Sequence, residues 1–258
     1  MELGLAEINI FQLLVLIFVP FFGGFIKGVT GFGFPMILIS GLGVIFNPEL
    51  AVSFLIFPLL MVNAVQMFQF EIDRIMKAFV RYYRITITLC LCLYLSSPLV
   101  LVLSKSILFI LLGLPITVIA ILQLWGWKPK LSENYRKPGE YITGIIAGLG
   151  GGFAGVWAPL VVTYLLSLDI TKRENILAQG VIYFAGSIIL IIAHLNTEIL
   201  NYQTIPTSVV LIVPAIVGLF IGIKVQNELN SDRFRQFVQV ILVLAGMNLI
   251  VRGLLNLS

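Results

Sequence analysis

The chain has 258 residues, 59% hydrophobic and 11% charged, with 16 Lys and Arg against 12 Asp and Glu for a formal net charge of +4. A water-soluble domain carries about a quarter charged residues, so this composition, with a mean hydropathy of +1.07, excludes that class and points to a polytopic membrane protein. Two cysteines, Cys90 and Cys92, are too few and too close along one predicted helix to form a disulfide framework, and read as apolar filler.

From the N-terminus, "MELGLAEINIF" is acidic and lacks a small-residue cleavage site, so it is expected to lead into a retained span rather than a removed signal peptide. Apolar segments are expected near 8–27, 33–46, 50–70, 85–103, 106–125, 141–152, 156–168, 175–193, 204–223 and 236–255. The longer ones match the roughly 20 residues that cross a bilayer. Between the first two lies "GGFIKGVTGFGFP", residues 23–35, where glycines, Lys27, Thr30 and Pro35 interrupt what should be an unbroken membrane helix. The segment 71–84 carries four basic residues and reads as a loop. The polar stretch 126–140 carries four more and divides the chain in two.

The two parts resemble each other. A shift of 124 positions carries Gly24, Gly28, Gly31 and Pro35 onto Gly148, Gly152, Gly155 and Pro159, and each set precedes three comparable apolar segments. Paired Gly/Pro-interrupted segments in corresponding positions of two halves are the best sequence pointer to a transporter's binding site. Basic loops stay inside, which places 71–84, 126–140, 169–175 and 224–235 in the cytoplasm and the Lys/Arg-free loop 194–202 outside. Matched loops then fall on opposite sides. The expected fold is an all-α polytopic membrane protein of two inverted repeats, each a re-entrant or broken-helix hairpin plus three transmembrane helices. The expected divisions are 1–125 (hairpin 8–46), a cytoplasmic linker 126–140, and 141–258 (hairpin 141–168), with both termini outside. Segment 8–27 is long enough to cross fully on its own, which is the weakest point of this scheme.

Backbone that leaves the helix at membrane depth must be buried in protein or line a wet cavity. "GVTGFGFP" and "GGGFAGVWAP" are such stretches, and Pro35 and Pro159 suit the first turn of a new helix. A helix start carries unpaired N–H groups and about half a positive charge, which favours anions. Lysine in mid-membrane costs roughly 2.5–3.5 kcal/mol and is rarely idle. The candidate binding residues are therefore Lys27, Gly28, Thr30, Gly31, Gly33, Phe34 and Pro35 at the first break, and Gly151, Gly152, Gly155, Trp157 and Pro159 at the second. Asn63, Gln179, Tyr183 and Ser187 join them from the spans, Asn63 falling on Ser187 at the same shift. Close helix packing is the competing account of the GxxxG pairs Gly24/Gly28 and Gly144/Gly148, and interhelical bonding that of Asn63 and Ser187. Lys27 has a competing account in snorkelling to an interface. Asn175 and Glu174 read as helix caps, and Trp125 and Trp127 as interfacial anchors.

With "GFIKGVTGFGFPMILISGLG", "NPELAVSFLIFPLLMVN" and "GIIAGLGGGFAGVWAPLVVTYLLSLDITKRENILAQ" in view, the chain resembles the TauE/SafE family of sulfite and organosulfonate exporters over essentially its full length. The resemblance implies an inner-membrane permease that exports small sulfur-containing anions such as sulfite or sulfoacetate. It maps the family's glycine–proline motifs onto Gly28, Gly31, Gly33 and Pro35, and onto Gly151, Gly152, Gly155 and Pro159. The second motif departs in having Trp157 where the first has Gly33, and Gly151 where it has Lys27. The expected activity is secondary transport, with an anion channel or a carrier of another small organic anion as alternatives. No enzyme activity, cofactor, metal or nucleic-acid partner is expected. The expected partners are the anion and the lipid bilayer, with proton or counter-ion coupling left open.

Overall fold

The computed structural model describes residues 9–126, 131–168, 170–226 and 231–255, and within them every regular element is helical. The helices are α1 (Ile10–Thr30), α2 (Phe34–Leu42), α3 (Pro48–Phe68), α4 (Ile72–Arg81), α5 (Tyr83–Ser96), α6 (Leu99–Val102), α7 (Lys105–Leu124), α8 (Arg136–Ala154), α9 (Ala158–Leu166), α10 (Lys172–Asn196), α11 (Thr204–Val210), α12 (Ile212–Gln226) and α13 (Ser231–Leu255). Five stretches among the described residues are long and apolar enough to cross a membrane: Ile10–Thr30, Pro48–Phe68, Tyr83–Val102, Arg173–Asn196 and Thr204–Gln226. Their outward faces are apolar, with Ile87, Leu91 and Leu95 on α5 and Val213, Val217 and Phe220 on α12 exposed. Apolar surface on this scale belongs against lipid. The protein is a multi-pass membrane protein.

Four long pairings build the bundle: α1 along α12, α7 along α13, α5 along α8, and α3 along α10. Small residues make the closest of these. A Cβ on Gly24 would strike the Ala215 carbonyl, and one on Gly148 the Leu89 carbonyl, so backbones approach as small-residue stripes permit in membranes. Packing is thus what Gly24, Gly144 and Gly148 do here.

Inside α3, Pro58 cannot bond to the Phe54 carbonyl. The Ser208 hydroxyl of α11 sits 3.3 Å from that oxygen and also 3.3 Å from the Phe57 N–H. A polar side chain from a neighbouring helix thereby satisfies the backbone that proline frees, as a membrane interior requires. At the start of α5, Arg84 reaches the buried Glu140 of α8 at 3.1 Å, and Arg136 reaches the same carboxylate at 3.6 Å. The Tyr164 hydroxyl of α9 lies 3.4 Å from it as well. One buried carboxylate thus pins three helices.

The structure departs from the sequence expectation at three places. Segment 71–84 is not a loop: α4 occupies it as an amphipathic helix, with Ile75 and Ala78 turned inward and its charges on another face. Residues 136–140 are helical and form the start of α8, with Arg136 and Glu140 as an i,i+4 pair. The 141–168 hairpin therefore has arms of 19 and 9 residues in place of two similar short pieces. The expected anchor Trp127 lies outside the described residues, whereas Trp125 is exposed at the end of α7.

Candidate functional site

The first break starts where α1 stops. Gly31 takes a left-handed conformation (φ +84°), and its N–H returns to the Lys27 carbonyl at 2.7 Å. Gly33 is left-handed too (φ +93°) and caps α2, whose first turn holds Pro35. Only glycine takes two such positions in three residues at low cost. Thr30 closes the turn: its Oγ lies 2.8 Å from both the Ile26 and Phe32 carbonyls. That hydroxyl is committed to backbone and not to open space. Phe34 is fully buried against Gly23.

Lys27 sits at the last turn of α1 and is 3% exposed. Its Nζ donates to Gln66 Oε1 of α3 at 2.5 Å, lies 3.4 Å from the Gly31 carbonyl, and stands 5.3 Å from the centroid of the Tyr183 ring on α10. Gln66 is held by a second bond, from its Nε2 to the Ile176 carbonyl at 3.2 Å. Among the described residues no carboxylate pairs with Lys27. A buried lysine with only amide, carbonyl and aromatic neighbours has no counter-ion among the described residues, which makes its charged form costly. Beside it Gln179 donates to Asn175, and the buried Gln179 Oε1 has no partner among the described residues. That oxygen faces the bare Cα of Gly31. A cavity of about 30 Å³, room for roughly one water, opens here between Lys27, Gly28, Gln66, Gln69, Gln226 and Ile176.

The second break repeats the backbone without the charge. Gly155 is left-handed (φ +65°), with its N–H on the Gly151 carbonyl at 2.6 Å. Trp157, at an ordinary φ of −106°, caps α9, and Pro159 sits in that helix's first turn. The Trp157 ring is 1% exposed and lies on Gly151 and Gly186. Gly31 faces Gln66 and Gln179, whereas Gly155 faces Leu190 and Leu55. Positions 66 and 190 are related by the same shift of 124 as 31 and 155, and so are 55 and 179.

Between the breaks, α3 and α10 are joined by Asn63, whose Nδ2 donates to Ser187 Oγ at 2.6 Å and to the Tyr183 carbonyl at 3.2 Å. Tyr183 reaches both breaks. Its ring faces Lys27, and its hydroxyl donates to the Ala158 carbonyl at the start of α9 at 3.1 Å.

The structure therefore brings together Lys27, Gly28, Gly31, Gln179 and Tyr183, with Asn63 and Ser187 deeper between the helices. Gly33, Phe34 and Pro35 shape the turn behind them. Gly151, Gly152, Gly155, Trp157 and Pro159 form a separate apolar break, where Gly152 packs on the Leu93 carbonyl. Gln66, a polar residue within the third span, lines the Lys27 cavity, and Gln69 and Gln226 complete it without having been singled out. Their signal was an amide close to a helix end, which reads as a cap or a loop. Glu174 does belong to a capping box, with Thr171, but Asn175 accepts from Gln179 instead of capping.

Comparison with known proteins gives one assignment. A family model described as "Sulfite exporter TauE/SafE" matches residues 16–249. No curated protein and no solved structure matches.

Proposed function

The chain belongs to the sulfite exporter TauE/SafE family, a family of membrane transporters, and on that premise we propose that it is a secondary transporter whose small sulfur-containing anion binds at Lys27. The observation that carries this reading is the buried Lys27 ammonium, held by Gln66 and Tyr183 and matched by no carboxylate among the described residues. The anion's charge would replace the missing counter-ion. The amides of Gln69 and Gln226 would donate to its oxygens, Gln66 would hold the lysine in place, and the ring of Tyr183 would wall the site. Gly31 leaves room where a side chain would stand.

The proposal takes the chain as two inverted repeats, 1–125 and 141–258, joined through 126–140. Its support is the neighbour pattern: Gly31 with positions 66 and 179 matches Gly155 with positions 190 and 55, and Asn63 bonds to its own counterpart Ser187. A pseudo-two-fold axis between α3 and α10 produces that pattern, and substrate sites in such transporters lie at the repeat interface. The cavity beside Lys27 holds about one water and is too small for a sulfonate, so binding requires movement of the surrounding helices. That need for movement favours a carrier over a standing pore.

The test is efflux of sulfite and of sulfoacetate from proteoliposomes containing the wild type, Lys27→Ala or Lys27→Arg. Lys27→Ala is expected to lower transport on the order of a hundredfold, since one partner of a buried charge pair is lost. Size-exclusion behaviour should stay unchanged. Near-normal efflux by Lys27→Ala would remove the lysine from the site.

A further inference from the structure

α4 poses a question that transport at Lys27 does not answer. It runs from Ile72 to Arg81 at the end of the bundle where α3 finishes and α10 begins. One face carries Ile72, Met76 and Val80, each more than half exposed. These residues follow an i, i+4, i+8 spacing and continue to the exposed Tyr83, so a stripe of apolar surface runs the length of the helix. An amphipathic helix with such a stripe at the end of a membrane bundle lies in the interface with the stripe against lipid.

The flank of that stripe is basic. Arg74, Lys77 and Arg81 of α4 line a cavity of about 340 Å³ closed on its far side by Glu174 and Leu177 of α10. Tyr82 lines the same cavity, is 2% exposed, and its hydroxyl has no hydrogen-bond partner among the described residues. Burial raises the pKa of that hydroxyl above its ordinary value, so it is a donor at neutral pH. The ion pairs of the three cations are at the surface: Arg74 with Glu71 at 3.9 Å, Lys77 with Asp73 at 2.6 Å, and Arg81, which also stands 5.6 Å from the centroid of the Tyr82 ring, with Glu174 at 3.8 Å. Pairs of that kind contribute little and exchange readily. A buried hydroxyl donor and three cations around one cavity, next to an apolar stripe at the bilayer surface, match a phosphate ester whose acyl chains remain in the membrane.

We infer that the cavity between α4 and α10 is a binding site for the phosphodiester headgroup of an anionic phospholipid, with Arg74, Lys77, Arg81 and the Tyr82 hydroxyl as its ligands. This site is separate from the one proposed at Lys27 and does not depend on that reading. It gives the basic segment 71–84 a lipid to hold in addition to its role in setting topology.

Native mass spectrometry of the full-length protein, released from nanodiscs of equimolar phosphatidylglycerol and phosphatidylcholine, tests the inference. Phosphatidylglycerol should be retained about tenfold over phosphatidylcholine. Each of Arg74→Gln and Lys77→Gln should weaken that preference about fivefold, as loss of one basic residue at a membrane surface implies. Tyr82→Phe keeps the packing and should also weaken it. Equal retention of the two lipids by the wild type, which needs no variant to fold, overturns the proposal. Thermal protection by inorganic phosphate alone equal to that by phosphatidylglycerol overturns the lipid assignment in favour of a soluble anion. Lys27→Ala should keep the lipid preference intact, so the two sites can fail separately.

Discussion

At the first break Gly31 faces the amides of Gln66 and Gln179, and a lysine lies one turn before it. At the second, Gly155 faces Leu55 and Leu190, and the position matching Lys27 is Gly151. The backbones follow one plan: a long helix, a left-handed glycine bonded to the carbonyl four residues back, and a nine-residue helix with proline in its first turn. What differs is the material around that plan. Two left-handed glycines leave the first break open to polar neighbours, whereas Trp157 at φ −106° needs no such freedom and fills the second with a buried ring. Duplicated geometry therefore does not duplicate chemistry. One break is lined by amides beside a lysine, the other is filled by packing.

That contrast can be broken by substitution. Trp157→Ala should have the largest effect, about 3–5 kcal/mol of lost stability, because it removes a fully buried indole and leaves a cavity beside Gly151 and Gly186. Thermal unfolding in detergent measures this, and a loss under about 1 kcal/mol would show that packing does not hold the second break.

The exchange of Gln66 and Leu190 sharpens the comparison at two matched positions. Gln66→Leu removes the acceptor of Lys27 and should cut sulfite efflux about tenfold or more, the worth of a hydrogen bond to a charged group. Leu190→Gln buries an amide next to Gly155 and should lower stability by about 1–3 kcal/mol, with a far smaller change in efflux per folded molecule. Equal transport defects in the two variants would erase the distinction between the breaks.

The smallest effect is expected for Tyr183→Phe, which deletes the bond to the Ala158 carbonyl. Hydrogen bonds between membrane helices average about 0.6 kcal/mol. A melting shift of that order would fit a tyrosine that links the two breaks without supporting either. No shift at all would mean that the link has no weight.

Much of this arrangement was legible in the sequence because its signals are strong and local. Glycine and proline at fixed spacings mark left-handed turns and helix starts, and Gly31, Pro35, Gly155 and Pro159 do what their residue types require. The offset of 124 set Asn63 and Ser187 at equivalent positions, and the structure joins the two directly, as the interhelical-bonding account has it. Less was legible where one residue type serves two ends. In 71–84 the charges dominated the reading, and the apolar spacing of Ile72, Met76 and Val80 that makes α4 a surface helix was passed over. Thr30 offers a hydroxyl at the break, yet two backbone carbonyls compete for it locally. No local pattern distinguishes a hydroxyl used that way from one left free. Gln69 and Gln226 stand at helix ends that only the bundle brings beside Lys27.

The four long pairings described above have a consequence for how such a molecule can move. Each joins a helix from before residue 127 to one from after it: α1 with α12, α3 with α10, α5 with α8, and α7 with α13. The early and late portions of the chain are interlocked like the fingers of two hands, so neither can swing as a unit against the other. Whatever rearrangement admits a solute must divide the helices along seams that ignore chain order.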